Sequence, residues 1–264
     1  EQRSATELDA TAFGVVVGRV GDDAFARANR SVDETPWLAV ELGGVGGHAL
    51  PEVDAAVSGF GPGTACYDCL RVRVASNADD ENANADDGSE TVDDATARFA
   101  GALAGREAAT LLSGGESPVL GGVVEIPHAE RTLLPVPDCD ACGGQRDHTL
   151  SVEHAAATLD ESVARAEQAM DDRVGVVRNL GEVASFPVPY YLAGNADTTG
   201  FSDARAAGKA AGVAADWNRA MMKALGEALE RYCAGVYDAA EFGRAPADAL
   251  DAAVDPRAFV RPED

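Results

Sequence analysis

The sequence predicts an α/β fold: mixed sheets with flanking helices, α+β in a second unit, and a four-cysteine knuckle pinning the first. Three observations carry this expectation. Residues 13–20 (FGVVVGRV), 22–32 (DDAFARANRSV) and 37–42 (WLAVEL) read strand, helix, strand at short spacing, the order of a parallel α/β layer. Residues 216–233 (DWNRAMMKALGEALERYC) read as one amphipathic helix. Two C-x-x-C pairs, Cys66/Cys69 and Cys139/Cys142, stand far apart in the chain with turn residues beside each.

Taken in order, residues 1–12 are polar and are expected to fray. The stretch 13–20 reads as a buried strand. In the helix at 22–32, Phe25, Ala28 and Val32 share the inward face, and Pro36 follows its end. The glycines of 43–47 (GGVGG) form a turn or hairpin; no helix follows in the register a nucleotide fingerprint needs. Residues 61–74 (GPGTACYDCLRVRV) bring the first cysteine pair into a helix. Residues 76–94 form an acidic, low-complexity insertion with almost nothing apolar to bury, read as disordered or solvated. An Ala-rich helix is expected over 95–112, ended by Gly114 and Gly115, and strands over 121–126 and 131–136. A short linker at 148–152 opens the second unit. There the expectation is a helix over 158–170, a strand over 174–178, and an apolar strand over 185–193 whose two prolines suit a sheet edge. The helix at 216–233 has Asp216 as N-cap and Met221, Leu225, Ala228, Leu229 and Tyr232 as its buried stripe. The predicted units are therefore 1–147 and 148–264.

The 264 residues carry 45 Asp and Glu against 21 Lys and Arg, a net charge of −24. Such a surface repels nucleic-acid phosphates and anionic membranes, which excludes both as expected partners. Lys occurs only at Lys209 and Lys223. An acidic, lysine-poor surface reads as halophilic, haloarchaeal in type, because molar salt shortens the Debye length to about 3 Å and self-repulsion then costs little. The expected outcome is a melting temperature that rises steeply across a KCl series; one that stays flat from low to molar salt points to an acidic mesophile. The longest apolar run near the start, 13–17, is far too short to span a bilayer, so the expected location is cytoplasmic. The chain starts at Glu1 without Met and reads as a piece of something longer.

In such a setting paired C-x-x-C motifs read as a metal site before a disulfide. Each pair offers two thiolates from a tight turn, and Cys66, Cys69, Cys139 and Cys142 together complete a tetrahedral, closed, structural zinc site. The rival is a redox C-x-x-C, for which one pair suffices. His48, His128, His148 and His154 read as surface or internally satisfied, since four thiolates leave no vacancy.

On the long helix, Glu227 and Glu230 are three apart and Glu227 and Arg231 four apart, so they share one face with Lys223 nearby. Two adjacent carboxylates suit a bound Mg²⁺. An ordinary solvated Glu/Arg face explains the same spacing.

Two stretches resemble known families. ALGEALERYC at 224–233 resembles the ALGE-x-x-ER helix of the YcaO family, and LDESVAR at 159–165 resembles that family's first helix; the likeness spans about 151–245. It implies binding of ATP and Mg²⁺, with Glu227 and Glu230 on the cation and Arg231 and Ser162 on phosphates. Lys223 departs from the pattern, for many members carry Ser there. TPWL, GPGTACYDCLRVR and LLPVPDCDACGG, over about 13–145, look like the zinc-bearing half of ThiF/ubiquitin-activating-like proteins fused to YcaO in azole peptide biosynthesis. The leader-binding module, the second acidic cluster and the C-terminal segment of those fusions have no counterpart in the sequence.

The resemblance implies a peptide cyclodehydratase, or a related thioamide-forming enzyme, acting on a peptide or protein substrate, with a homodimer left open. A non-catalytic zinc scaffold binding a peptide or partner subunit is the alternative.

Overall fold

The computed structural model describes residues 12–32, 34–78, 93–127, 129–143, 152, 155–251 and 253–259. Strand β1 (Gly14–Arg19), helix α1 (Asp23–Ser31) and strand β2 (Trp37–Leu42) form the expected parallel unit, with Gly14 opposite Trp37 and Arg19 opposite Leu42. The Asp22 side chain caps α1, accepting from the Ala24 N–H at 2.7 Å. Strand β1 lies at the sheet edge, so it is half-buried: Val16 faces in while Val15 and Val17 are exposed.

After β2 come a small hairpin, β3 (Gly44–Val45) and β4 (His48–Ala49), and strand β5 (Ala55–Phe60). Helices α2 (Tyr67–Asn77) and α3 (Asp94–Leu112) precede strands β6 (Gly122–Ile126) and β7 (Ala129–Thr132). Part of the acidic stretch is thus helical: Ser76 and Asn77 close α2 and are buried, and Asp93 caps α3. Residues 79–92, along with His128, His148 and His154, lie outside the described residues. The sheet order is β1-β2-β5-β6-β7, antiparallel beyond β2. The apolar run 37–40 of β2 follows from burial on both faces. Trp37 and Ala39 point to α1 and α2, packing with Phe25, Tyr67 and Leu70. Leu38 and Val40 point the other way, onto Ala100 and Ala104 of α3.

Glu41 lies on the Trp37 face and is fully buried. It accepts from the N–H groups of Gly46 (2.7 Å) and Gly47 (2.8 Å) and from the Tyr67 hydroxyl (2.8 Å). Burial raises its pKa, and these three donors pull the other way. The glycine-rich turn therefore serves to wrap a buried carboxylate.

The second sheet contains β8 (Val177–Ala184), β9 (Tyr190–Asn195) and β10 (Lys209–Val213), antiparallel in the order β10-β9-β8. Helix α4 (Leu159–Glu167) starts with a Thr158/Glu161 capping box and packs on helix α5 (Trp217–Ala234), which covers the sheet. Two expectations need correction. Pro187 and Pro189 sit in the β8–β9 connection, and β9 is the central strand, not an edge: it pairs with β10 in unbroken register and with β8 across two register shifts. Strand β10 lies, but for Val213, in the polar, Ala- and Gly-rich run 194–212, where the sequence shows no strand pattern. It is short, and three of its five residues are Ala or Gly. Gly212 is needed there because a Cβ would stand 2.0 Å from the Ala220 carbonyl oxygen beneath α5.

Buried polar groups join the two sheets. Asn77 donates to the Gly175 carbonyl at 3.1 Å, and Asp197 N–H donates to the Ser76 carbonyl at 2.9 Å. Glu125 of β6, 3% exposed, pairs with Arg131 (3.0 Å) and with Arg173 (2.8 Å), and Arg131 also meets Asp171 at 2.8 Å. No helix among the described residues is long and apolar enough to cross a membrane.

Candidate functional site

The two cysteine pairs meet. Cys66 is the N-cap of α2 and Cys69 lies in its first turn, so the helix aims both sulfurs past its N-terminus. The loop after β7 delivers the second pair, with Asp138 and Gly143 in left-handed conformations that let the chain curl around Cys139 and Cys142. Sulfur–sulfur distances are 3.8 Å for Cys66–Cys69, 3.7 Å for Cys66–Cys139 and 3.6 Å for Cys69–Cys142, and all four lie within 4.8 Å of one another. A tetrahedron with metal–sulfur bonds of about 2.3 Å has edges of about 3.8 Å, so the spacing is that of a tetrathiolate centre. It is also far too long for disulfides, and all five cysteines are free.

The electrostatics agree. The Cys139 thiol is pulled well below its ordinary value because Cys66 and then Cys69 donate to it. That same donation to Cys139 pushes the Cys66 thiol up to about 12 and raises Cys69 as well, with burial adding to both. The protein alone thus favours the thiolate at Cys139 over Cys66 and Cys69, and a cation among the sulfurs would favour ionising those two as well. The Val136 N–H, 3.3 Å from the Cys69 sulfur, is an outer-shell donor of the kind that steadies such centres. Cys66 and Cys142 also border a cavity of about 290 Å³ over Trp37 and Phe60. His48 takes no part; its Nε2 lies 3.3 Å from the Arg71 carbonyl oxygen.

The second group of expected residues lies on α5 and α4. Asp216 caps α5, accepting from the Arg219 N–H at 3.0 Å. Ala220, Ala224, Leu225, Ala228 and Tyr232 are buried, while Met221 and Leu229 are partly buried beside them. The side chains off this stripe reach around the open edge of β10. Lys223 donates to the Val213 carbonyl (3.0 Å), Glu227 accepts from the Ala211 N–H (2.9 Å), and Arg231 donates to the Lys209 carbonyl (3.2 Å). Spaced four apart on the helix, they meet backbone groups spaced two apart on the strand. They satisfy the polar edge that β10 would otherwise present to another chain.

Glu227 also accepts from Arg231 at 2.5 Å. The Ala211 N–H, followed by Arg231, holds its carboxyl below the usual carboxylate range, so it is anionic at neutral pH. Glu230 is exposed and has no partner among the described residues. The Ser162 hydroxyl donates to the Thr158 carbonyl at 2.9 Å. The residues lie on two packed helices, yet the 410 Å³ cavity at the end of α2 is lined by Ser76, Arg178, Asn195, Asp197 and Arg205 and by none of them. Sequence reasoning missed the edge-covering ladder, although Lys223, Glu227 and Arg231 at spacing four were its visible signal.

No family model and no curated protein matches the chain. Solved structures do. One described as a heterocyclase in complex with substrate and cofactor overlays 84% of this chain at 20% identity and a TM-score of 0.57, and 35% of its own length is covered. Another, the heterocyclase TruD, overlays 64% of this chain and 28% of its own at 20% identity and a TM-score of 0.41. The first overlay shows that the chain shares a fold with part of a heterocyclase. The chain spans about a third of that protein's length.

Proposed function

We propose that this chain is part of an ATP- and Mg²⁺-dependent, amide-activating enzyme of the YcaO type. The units 1–147 and 148–264 would be its zinc-stabilised scaffold and the first part of its nucleotide-binding domain. The observation that carries this reading is the overlay of 84% of the chain on a heterocyclase bound to substrate and cofactor. The ALGE-x-x-ER wording of α5 supports it.

ATP in such an enzyme supplies the phosphoryl group that turns an amide oxygen into a leaving group. A Cys, Ser or Thr side chain of the peptide closes an azoline ring, or an external sulfur nucleophile gives a thioamide. The chain's part is positioning and charge neutralisation. Glu227, anionic, and Glu230, uncommitted, are the donors that would hold Mg²⁺, and Arg231 and Ser162 would meet phosphate oxygens. The four thiolates would hold zinc in a structural role. In this state Glu227 is engaged by Ala211 and Arg231, which favours a second reading: a zinc-stabilised scaffold that binds a peptide or partner subunit without catalysis.

Calorimetric titration of Mg²⁺–ATP separates the two. Binding is expected, and Glu227→Gln or Glu230→Gln should each weaken it about tenfold or more, since hydrogen bonds to charged groups are worth about 1.5–3 kcal/mol. Absent binding, or affinity undiminished in both variants, leaves the scaffold reading.

A further inference from the structure

We infer that Arg73 couples the four-cysteine centre to α5, so that metal loading sets the order of that helix. The inference rests on the cysteines holding a metal and not on nucleotide binding by α5.

Arg73 is 1% exposed and sits one helical turn after Cys69 on α2. A buried guanidinium is costly unless its charge is compensated. No carboxylate among the described residues reaches it. Its side chain donates to the carbonyls of Leu134 (3.2 Å) and Pro135 (2.7 Å) and to the Tyr232 hydroxyl (2.8 Å), and its guanidinium carbon lies 5.5 Å from the Tyr232 ring centre. Leu134 and Pro135 directly precede Val136, whose N–H meets the Cys69 sulfur at 3.3 Å. Arg73 therefore grips the segment that leads to the second cysteine pair with two of its nitrogens and α5 with the third.

A metal on the four sulfurs would tie α2 to the segment that carries Cys139 and Cys142, and so would hold the Leu134 and Pro135 carbonyls against Arg73. Without the metal that tie is lost, and a segment free to move carries off two acceptors of a buried guanidinium. Arg73 must then shift or draw in water, and it takes the Tyr232 hydroxyl with it. Tyr232 is 4% exposed, lies in the core beneath α5 with Phe201 at 6.3 Å between ring centres, and follows Arg231 directly. Arg73 is thus a positioning residue, acting on the α5 face through Tyr232.

The test is amide hydrogen exchange on the whole chain, zinc-loaded and chelator-stripped, with zinc content measured on the same samples. In the wild type, stripping should speed exchange across 225–234 about tenfold or more, the loss of one charge-assisted hydrogen bond, while α3 changes less than about twofold. Tyr232→Phe keeps the ring and removes the hydroxyl. Its zinc-loaded form should already exchange faster over 225–234, and stripping should add less than about threefold. Arg73→Met should behave likewise. Zinc that binds and leaves 225–234 unchanged on removal overturns the inference alone. Equal loss of protection in α3, or a Tyr232→Phe protein that responds like the wild type, overturns it too. A chain that binds no zinc overturns the metal reading and this inference together.

Discussion

Replacing Cys69 with serine should empty the metal centre and destabilise the chain by on the order of 5 kcal/mol or more, given that structural zinc contributes about 10–16 kcal/mol of apparent binding energy in small zinc domains. Cys69 is fully buried at the start of α2 and touches the sulfurs of both Cys66 and Cys142. A serine oxygen there is a harder and shorter ligand, and unligated it is a buried hydroxyl. The exposed Cys142 should be the milder site, because the loop that carries it can bring in water. For a chain of this size each kcal/mol moves Tm by about 2–4 °C, so the Cys69→Ser shift should exceed about 10 °C. Zinc-to-protein ratios and melts with and without chelator measure it. A variant that retains full zinc, or melts with the wild type, refutes the structural role.

Glu125→Ala should cost about 3–5 kcal/mol, the range for breaking a buried ion pair by removing one partner. Glu125 sits between Arg131 and Arg173, which are 11% and 15% exposed, and Asp171 completes the cluster. Removing the carboxylate leaves two poorly hydrated guanidiniums facing each other. Arg131 belongs to the first sheet and Arg173 to the turn that leads into the second, so the loss should loosen their junction. Urea unfolding is the measurement, and the double variant Glu125→Ala/Arg173→Ala should cost less than the sum of its parts. Strict additivity, or a loss within about 0.5 kcal/mol as for a surface site, would show that the pairs are solvated in solution.

Much of this was legible in the residues. Apolar periodicity placed α1 and α5, because a buried stripe must repeat with the period of its element; short apolar runs placed β1 and β2, and an Ala-rich stretch closed by glycines placed α3. Asp216 announced its cap, since a helix leaves N–H groups that a nearby carboxylate can accept. The C-x-x-C spacing selected the four cysteines, because two thiolates reach one point only from so tight a turn. Elsewhere local signals were too weak. Strand β10 carries little apolar surface of its own and exists because β9 pairs with it and α5 covers it.

What the sequence determined by itself is what depends on near neighbours: element type, capping, cysteine pairing within each motif, and the acidic surface. Tertiary structure alone decided what depends on distant groups arriving together. It brought Cys139 to Cys66, aimed Glu41 at two glycine amides, buried Arg73 against Tyr232, and turned Lys223, Glu227 and Arg231 onto the edge of β10. The physical reason is the same in each case. A side chain's spacing says which face it occupies, but its charge and hydrogen bonds are settled by whichever backbone or side chain the fold sets against that face.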